Sequence, residues 1–305
     1  MAIRRGPLAA PESATDVFHA QSQSNADTYS VGFPTDLFLL NKTNGSSANT
    51  YVGNRLTGND KYLITSSTAT EASFTDLWAF DLQDSFDQGA STASPWVGYH
   101  WKRAPSYFDV VGYVGAGAAQ TVNHNLGVVP EMMWVKSRST ADDWAVYHSA
   151  LGNTDNLFLN GNNATASRIY WNNTTPTATQ FSLGDSSKVS NSGTTYIAYL
   201  FATVPNVSFV GSYTGNAGAS TINVDCGFSS GARFVLIKES SGTGDWWVFD
   251  TVRGLVAGND AALKLNTTDA ESSFDYIDPY SGGFSLQTNS GINTNNATFI
   301  FYAIA

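Results

Sequence analysis

The sequence predicts an all-β protein built from three tandem antiparallel β-sandwich-like domains with little or no helix. One set of residue strings occurs three times in the same order, short apolar runs alternate with turn residues, and no long stretch has a helical apolar period. At 305 residues the chain is long enough for two or three domains, each with its own core.

The internal repeat defines three copies of one unit, called copies 1, 2 and 3 below. Each copy has a glycine ahead of an apolar strand and ends in an aromatic strand that contains a tyrosine. These two residues are 67, 72 and 75 positions apart, from Gly32 to Tyr99, Gly127 to Tyr199 and Gly227 to Tyr302. Such small differences are typical of loop-length changes on a common fold.

Strands and domain boundaries follow from apolar runs and turn residues. Met132–Val135 and Phe234–Ile237 are short apolar runs between polar residues, as in strands buried on both faces. Pro105 and Pro205 follow closing strands and cannot continue a sheet ladder, so we place boundaries there. The predicted organisation is an N-terminal arm at residues 1–26 that a partner could order, and β domains at 27–107, 108–207 and 208–305.

An Asp-Trp pair begins a strand in copies 2 and 3. Trp144 and Trp246 occupy the same position of the repeat, and we align Tyr51 of copy 1 with them. A residue that recurs in the repeats more often stabilises the common fold than takes part in catalysis, because an active site normally occurs once in a chain. We therefore expect the two tryptophans in the core, and Asp143 and Asp245 in turns beside them.

Composition excludes several classes of partner. Charged residues make up 13% of the chain, the net charge is −10 and the pI is about 4.6. Nucleic acid is not an expected partner, because affinity for phosphates depends on Lys and Arg. Membrane insertion is not expected either, since no apolar run approaches the roughly 20 residues that span a bilayer. The N-terminal residues lack a signal-peptide pattern, and the single cysteine, Cys226, cannot form an internal disulfide, which indicates synthesis in a cytoplasm.

No motif typical of an enzyme is present in the sequence. The histidines lack metal-ligand spacing, and no Gly-x-Ser-x-Gly elbow occurs. A glycosidase would need two carboxyl groups, for which the candidates are Asp142, Asp143, Asp245, Glu71, Glu131, Glu239 and Glu271. Several of these occupy shared repeat positions, which favours scaffold roles. We therefore predict no catalytic, metal or cofactor-binding residue, no cofactor and no enzyme activity.

Aromatic residues near predicted loops are the candidates for contact with a receptor. Tyr170 and Trp171 precede an Asn- and Thr-rich stretch, and Tyr276 and Tyr280 flank Pro279. Loops on a rigid sandwich are where recognition residues usually lie. These four aromatic residues are the candidates for contact with a receptor.

Several strings resemble a repeated domain of bacteriophage virion proteins, which are often labelled tail fibre, minor tail or structural protein and are frequent in marine and cyanobacterial phages. The strings are Phe108–Gly117, Val122–Lys136 and Trp171–Thr177 in copy 2, and Gly32–Leu37 and Ala69–Ser73 in copy 1. The resemblance extends from about Tyr29 to the C-terminus. It implies a virion protein but carries no catalytic or binding motif with it.

The resemblance implies a tail fibre or tail appendage that attaches the phage to the host surface. Expected partners are other virion proteins, a host-surface glycan or protein receptor, and further copies of the chain in a homo-oligomer, with a trimer favoured by analogy with fibres. Three alternatives stay open: a head fibre or capsid decoration protein, a polysaccharide-degrading tailspike, and a spacer without a receptor site. The expected location is the virion.

Overall fold

A computed structural model describes residues 9–23, 27–43, 47–89, 95–286 and 291–305. Over these residues the structure is almost entirely β, with antiparallel sheets arranged as sandwiches and only single-turn helices, so the predicted fold class is confirmed. Within these residues no helix has the length and apolar character needed to cross a membrane.

The strands fall into three successive groups, one for each copy. Copy 1 contains β1 (Phe18–Gln23), β2 (Asp27–Ser30), β3 (Leu37–Lys42), β4 (Tyr51–Asn54), β5 (Lys61–Ile64), β6 (Ala72–Ser73), β7 (Trp78–Ala79), β8 (Ser85–Gln88) and β9 (Trp96–Trp101). Copy 2 contains β10 (Phe108–Val114), β11 (Gln120–Asn123), β12 (Met132–Ser137), β13 (Ala145–His148), β14 (Asp155–Phe158), β15 (Ala166–Ser167), β16 (Gln180–Leu183) and β17 (Thr195–Phe201). Copy 3 contains β18 (Ser208–Thr214), β19 (Ile222–Asp225), β20 (Phe234–Glu239), β21 (Trp246–Asp250), β22 (Asp260–Lys264), β23 (Ser272–Phe274), β24 (Ile277–Tyr280), β25 (Gly283–Leu286) and β26 (Thr298–Ile304). The helical turns are α1 (Ser187–Ser190) and the 3₁₀ turns Ala14–Asp16, Ser149–Leu151 and Ile169–Trp171.

Each copy has one six-stranded sheet with the same strand order. The orders are β1-β9-β3-β4-β5-β6, β10-β17-β12-β13-β14-β15 and β18-β26-β20-β21-β22-β23. A smaller sheet covers one face of each: β2-β8-β7, β11-β16 and β19-β25-β24. The central strands of the large sheets are buried on both faces, which is why they read as continuous apolar runs.

The first strand lies within the segment that the sequence analysis assigned to an arm. Phe18–Gln23 pairs antiparallel with Trp96–Trp101 at the edge of the copy 1 sheet, and Phe18 is buried. This part of the predicted arm therefore belongs to the first sheet. Residues 1–8 and 24–26 lie outside the described residues.

The three large sheets share one central core. In each large sheet, one face packs on the small sheet of the same copy. The opposite faces of the three large sheets meet and form a single hydrophobic cluster, to which the copies contribute Tyr99, Tyr199 and Tyr302 in turn. A separate cluster lies between the large and small sheet of each copy. The copies therefore pack against one another through one continuous hydrophobic core.

Side chains join the copies in a closed ring. The Trp144 indole donates to the Ile64 carbonyl at 2.9 Å, and the Trp246 indole donates to the Phe158 carbonyl at 2.9 Å. The first hydrogen bond therefore joins copy 2 to copy 1, and the second joins copy 3 to copy 2. Copy 1 completes the ring, because the Thr65 hydroxyl donates to the Leu265 carbonyl at 2.5 Å. The resulting arrangement is approximately threefold within one chain.

The structure confirms that Trp144 and Trp246 are core residues but corrects their alignment with copy 1. In each copy, the backbone amide of the residue that follows the neighbouring strand donates a hydrogen bond to the backbone carbonyl at this position. The acceptor is Trp144 in copy 2, Trp246 in copy 3 and Thr50 in copy 1. Thr50 therefore holds the tryptophan position, and Tyr51 is the next residue along. Because successive strand residues face opposite sides of a sheet, Tyr51 points away from the central core.

Two buried lysines lie at the junctions between copies. Lys136 Nζ donates to the Thr68 carbonyl of copy 1 at 3.2 Å, and Lys238 Nζ donates to the Asn162 carbonyl of copy 2 at 3.4 Å. Burial lowers the pKa of each lysine to about 8. Both ammonium groups are therefore partly neutral in the folded chain at a pH where they stay charged in the unfolded chain.

This difference predicts a stability that rises with pH. Between pH 8 and 10.5 the unfolded chain binds more protons at Lys136 and Lys238 than the folded chain, so the free energy of unfolding increases across that window. We expect the wild type to gain roughly 1–3 kcal/mol between pH 8 and 10 relative to a Lys136→Met/Lys238→Met double variant. Urea unfolding of both proteins at each pH measures the gain, and parallel pH profiles would contradict it.

Candidate ligand-binding surface

Copy 3 presents a group of aromatic rings on the face of its large sheet away from the central core. Trp246 and Trp247 are adjacent in β21, so Trp246 faces the central core and Trp247 lies on the opposite face, where it packs against the cluster between the two sheets of copy 3. Trp247 is partly exposed and Phe274, at the end of β23, is 49% exposed. Together with Lys264 and the buried ring of Tyr276 on which they pack, they form the surface that we call the Trp247 platform.

The rings of the Trp247 platform are in direct contact. The ring centroids of Trp247 and Tyr276 are 5.1 Å apart, and those of Phe274 and Tyr276 are 5.4 Å apart. Lys264 Nζ lies 4.8 Å from the Trp247 ring centroid. Such spacings are typical of aromatic and cation–π contacts, and they fix the rings as one surface.

Charged groups border the platform. Lys264 Nζ contacts Asp245 at 2.8 Å and Asp269 at 3.1 Å. Against the effect of burial, these two carboxylates raise the pKa of Lys264, so it stays cationic. Lys264 lowers the pKa of Asp269, whose side chain is 60% exposed. The border therefore offers one cation and two carboxylates to the hydroxyl groups of a ligand.

A buried carboxylate holds Tyr276 in the platform. Asp260 Oδ2 accepts hydrogen bonds from the backbone amides of Tyr276, at 3.2 Å, and Ile277, at 2.9 Å. Burial raises the pKa of Asp260 to about 6. Asp60 of copy 1 makes the same pair of bonds to Leu77 and Trp78. The position is thus part of the repeated scaffold.

Two of the four predicted receptor contacts are core residues. Trp171 is fully buried, and its indole donates to the Asp155 carbonyl at 3.1 Å. Tyr170 is also buried and packs 6.3 Å from Phe158, between ring centroids. The structure places both side chains inside copy 2, where a ligand cannot reach them. The Asn- and Thr-rich stretch after Trp171 led the sequence analysis to place them at a loop surface.

The other two predicted contacts lie at opposite ends of one strand. Tyr276 immediately precedes β24, and Tyr280 ends it at the turn where it pairs with Gly283. Four residues of extended chain separate them by roughly 13 Å. Tyr280 is partly exposed but lies apart from the Trp247 platform. Tyr276 belongs to the platform, but its own side chain is buried, contrary to the prediction of a loop surface.

The candidate carboxylates hold structural partners. Asp143 accepts a hydrogen bond from the side-chain amide of Asn160 at 2.8 Å, and the side-chain oxygen of Asn160 accepts one from the backbone amide of Trp144. Asp245 likewise accepts a hydrogen bond from the side-chain amide of Asn266. The others also have bonds: Lys188 to Asp142, Arg138 to Glu71, the Thr203 amide to Glu131, Thr294 to Glu239 and Arg253 to Glu271. Asp143 and Asp245 therefore lie in the loops beside the two tryptophans, where the sequence analysis placed them.

Two further side chains that can react in other proteins, Cys226 and His124, are buried in this fold. Burial raises the pKa of the Cys226 thiol to about 12, so the thiolate that acts as a nucleophile does not form near neutral pH. His124 bonds to the Thr177 carbonyl at 3.1 Å and accepts from the Leu126 amide at 3.2 Å, as expected for a loop histidine. Among the residues that the structure describes, no group of three His, Cys, Asp or Glu side chains is arranged to hold a metal ion.

Comparison with known proteins identifies the family. A comparison with curated proteins gives no match. The family model described as a domain of unknown function, DUF7483, matches residues 13–305. The match begins just before β1 and takes in all three copies, in agreement with their shared core. The chain is a member of the DUF7483 family.

Proposed function

We propose that this chain is a non-enzymatic virion protein of a bacteriophage, a tail fibre or tail appendage, that attaches to the host surface through the Trp247 platform. The observation that carries the proposal is that the exposed Phe274 ring and the partly exposed Trp247 ring both pack on the buried ring of Tyr276. Aromatic rings stack on the apolar face of a sugar, and polar groups at their border bond its hydroxyls. The phage assignment follows from the resemblance of the repeated strings.

The packing of the three copies supports an adhesive role. A shared core and bonds between copies hold the platform on a rigid scaffold, which lowers the entropy lost when a ligand binds. Contacts to other virion proteins and assembly of further chains into a homotrimer belong to the same proposal. So does location in the virion after synthesis in the host cytoplasm.

The carboxylates favour adhesion over polysaccharide cleavage. A general acid in a glycosidase needs a raised pKa and access to the substrate. Asp260 has a raised pKa but is fully buried, so a substrate cannot reach it. Burial acts to raise the pKa of Asp143, but its hydrogen bonds with Lys188 and Asn160 lower that pKa overall. A purified chain that releases soluble sugar from host envelopes would contradict this proposal.

Replacing Trp247 should abolish most binding. We expect Trp247→Ala to weaken binding of the purified chain to host cells by about 30-fold, since a central aromatic contact contributes about 2 kcal/mol. Ile169→Ala, which truncates an apolar side chain that is 58% exposed in copy 2, is the matched control and should bind like the wild type. Flow cytometry with labelled protein measures both. Immunogold labelling confined to the phage head would contradict the tail assignment.

A further inference from the structure

A second aromatic group occupies the same place in copy 1. Tyr51 lies opposite Leu40 and Ile64 in the sheet, as Trp247 lies opposite Ile237 and Lys264. These registers assign Tyr51 and Trp247 to one structural position of the repeat. Both face away from the central core, toward the small sheet of their own copy.

Aromatic rings contact Tyr51 as they contact Trp247, although Tyr62 and Trp96 occupy repeat positions that hold Ala262 and Phe299 in copy 3. The ring centroids of Tyr51 and Tyr62 are 5.4 Å apart and those of Tyr51 and Trp96 are 6.1 Å apart. Tyr51 and Tyr62 are partly exposed, as Trp247 is. Lys42 is the strand partner of Trp96. We call Tyr51, Tyr62 and Trp96 the Tyr51 platform.

Copy 2 has no equivalent surface. The corresponding residue is Ala145, which is fully buried and pairs with Phe158. Lys188 covers the Phe158 ring, with Nζ 5.3 Å from the centroid, and Asp142 and Asp143 hold this lysine in place. The repeat position therefore holds a partly exposed aromatic ring in two copies and a buried alanine in one.

We infer that the Tyr51 platform is a second saccharide site, so that one chain binds two segments of the host-surface polysaccharide. The inference rests on the proposed function and extends it to copy 1. Because the platforms lie on different copies of a threefold ring, they face different directions. One short saccharide cannot occupy both, whereas a long or dense polysaccharide layer can, and double engagement increases avidity without new contacts.

Isothermal titration with short oligosaccharides, released from purified host-envelope polysaccharide by mild acid, tests the inference. We expect two oligosaccharides per wild-type chain, one per Tyr51→Ala chain, one per Trp247→Ala chain and none for the double variant. Tyr51→Leu retains apolar volume without the ring and should also give one, which separates loss of the site from loss of folding.

The outcomes distinguish the inference from the proposed function. One site in the wild type that Trp247→Ala removes and Tyr51→Ala leaves intact would overturn the second site and preserve the first. No binding by the wild type would overturn both. A thermal unfolding curve of each variant, compared with the wild type, confirms that the titrated protein is folded.

Discussion

Asp250→Asn should destabilise the chain by about 3–5 kcal/mol, because it leaves a buried guanidinium without its main counter-charge. The Asp250 side chain is fully buried, and its Oδ2 accepts from Arg253 Nε at 2.5 Å and from the Tyr99 hydroxyl at 2.7 Å. Arg253 is 4% exposed and also contacts Glu271 at 3.1 Å. Tyr99 belongs to copy 1, so the substitution weakens the junction that closes the ring.

Urea unfolding at pH 7 measures this loss as a lower midpoint. Asp269→Asn is the matched control, since it removes a carboxylate of the same kind from an ion pair in which Asp269 is 60% exposed. Exposed pairs contribute about 0–1 kcal/mol, so the control should unfold close to the wild type. Equal midpoints for both variants would show that the Asp250 network adds nothing beyond a surface pair.

Trp246→Ala should cost about 3–5 kcal/mol through the cavity that it leaves in the shared core. The substitution also leaves the Phe158 carbonyl of copy 2 without the indole that donates to it at 2.9 Å. An unpaired buried acceptor is costly in its own right. We therefore expect a lower unfolding midpoint for the whole chain, since copies 2 and 3 share the cluster that contains Trp246.

The adjacent tryptophan provides the comparison for Trp246→Ala. Trp247→Ala removes the same side chain from the outward face, where Trp247 is only partly buried, so it should cost at least about 2 kcal/mol less. Circular dichroism during urea unfolding of the two variants measures the difference. Equal losses would mean that the inward and outward faces of β21 contribute equally to stability, contrary to the core described above.

Much of the fold could be predicted because the sequence repeats. The glycine-to-tyrosine spacing and the apolar runs identify equivalent strands in all three copies, and these strands form sheets of identical order. Phe18–Gln23 escaped the prediction because an edge strand with His19, Gln21 and Gln23 has no apolar run. The alignment of copy 1 was wrong by one residue, since Thr50 has no tryptophan ring to mark its position.

The candidate surface was harder to predict because exposure depends on tertiary packing. Trp171 is followed by a polar stretch yet lies in the core, where its indole reaches the Asp155 carbonyl. Trp247 carries a signal that can be read from the sequence: neighbouring residues of a strand face opposite sides, so Trp246 and Trp247 cannot both face one core. Phe274 and Lys264 join Trp247 only through strand pairing, which the sequence does not specify.

Covalent linkage of the three copies frees each position from the symmetry of the ring. Three separate subunits encoded by one gene would have to carry identical residues at every equivalent position. Here the tryptophan site of the core holds Thr50 in copy 1, and the outward position next to it is Tyr51, Ala145 or Trp247. Single substitutions can therefore alter the surface of one copy at a time, while the interior that all three copies need stays intact.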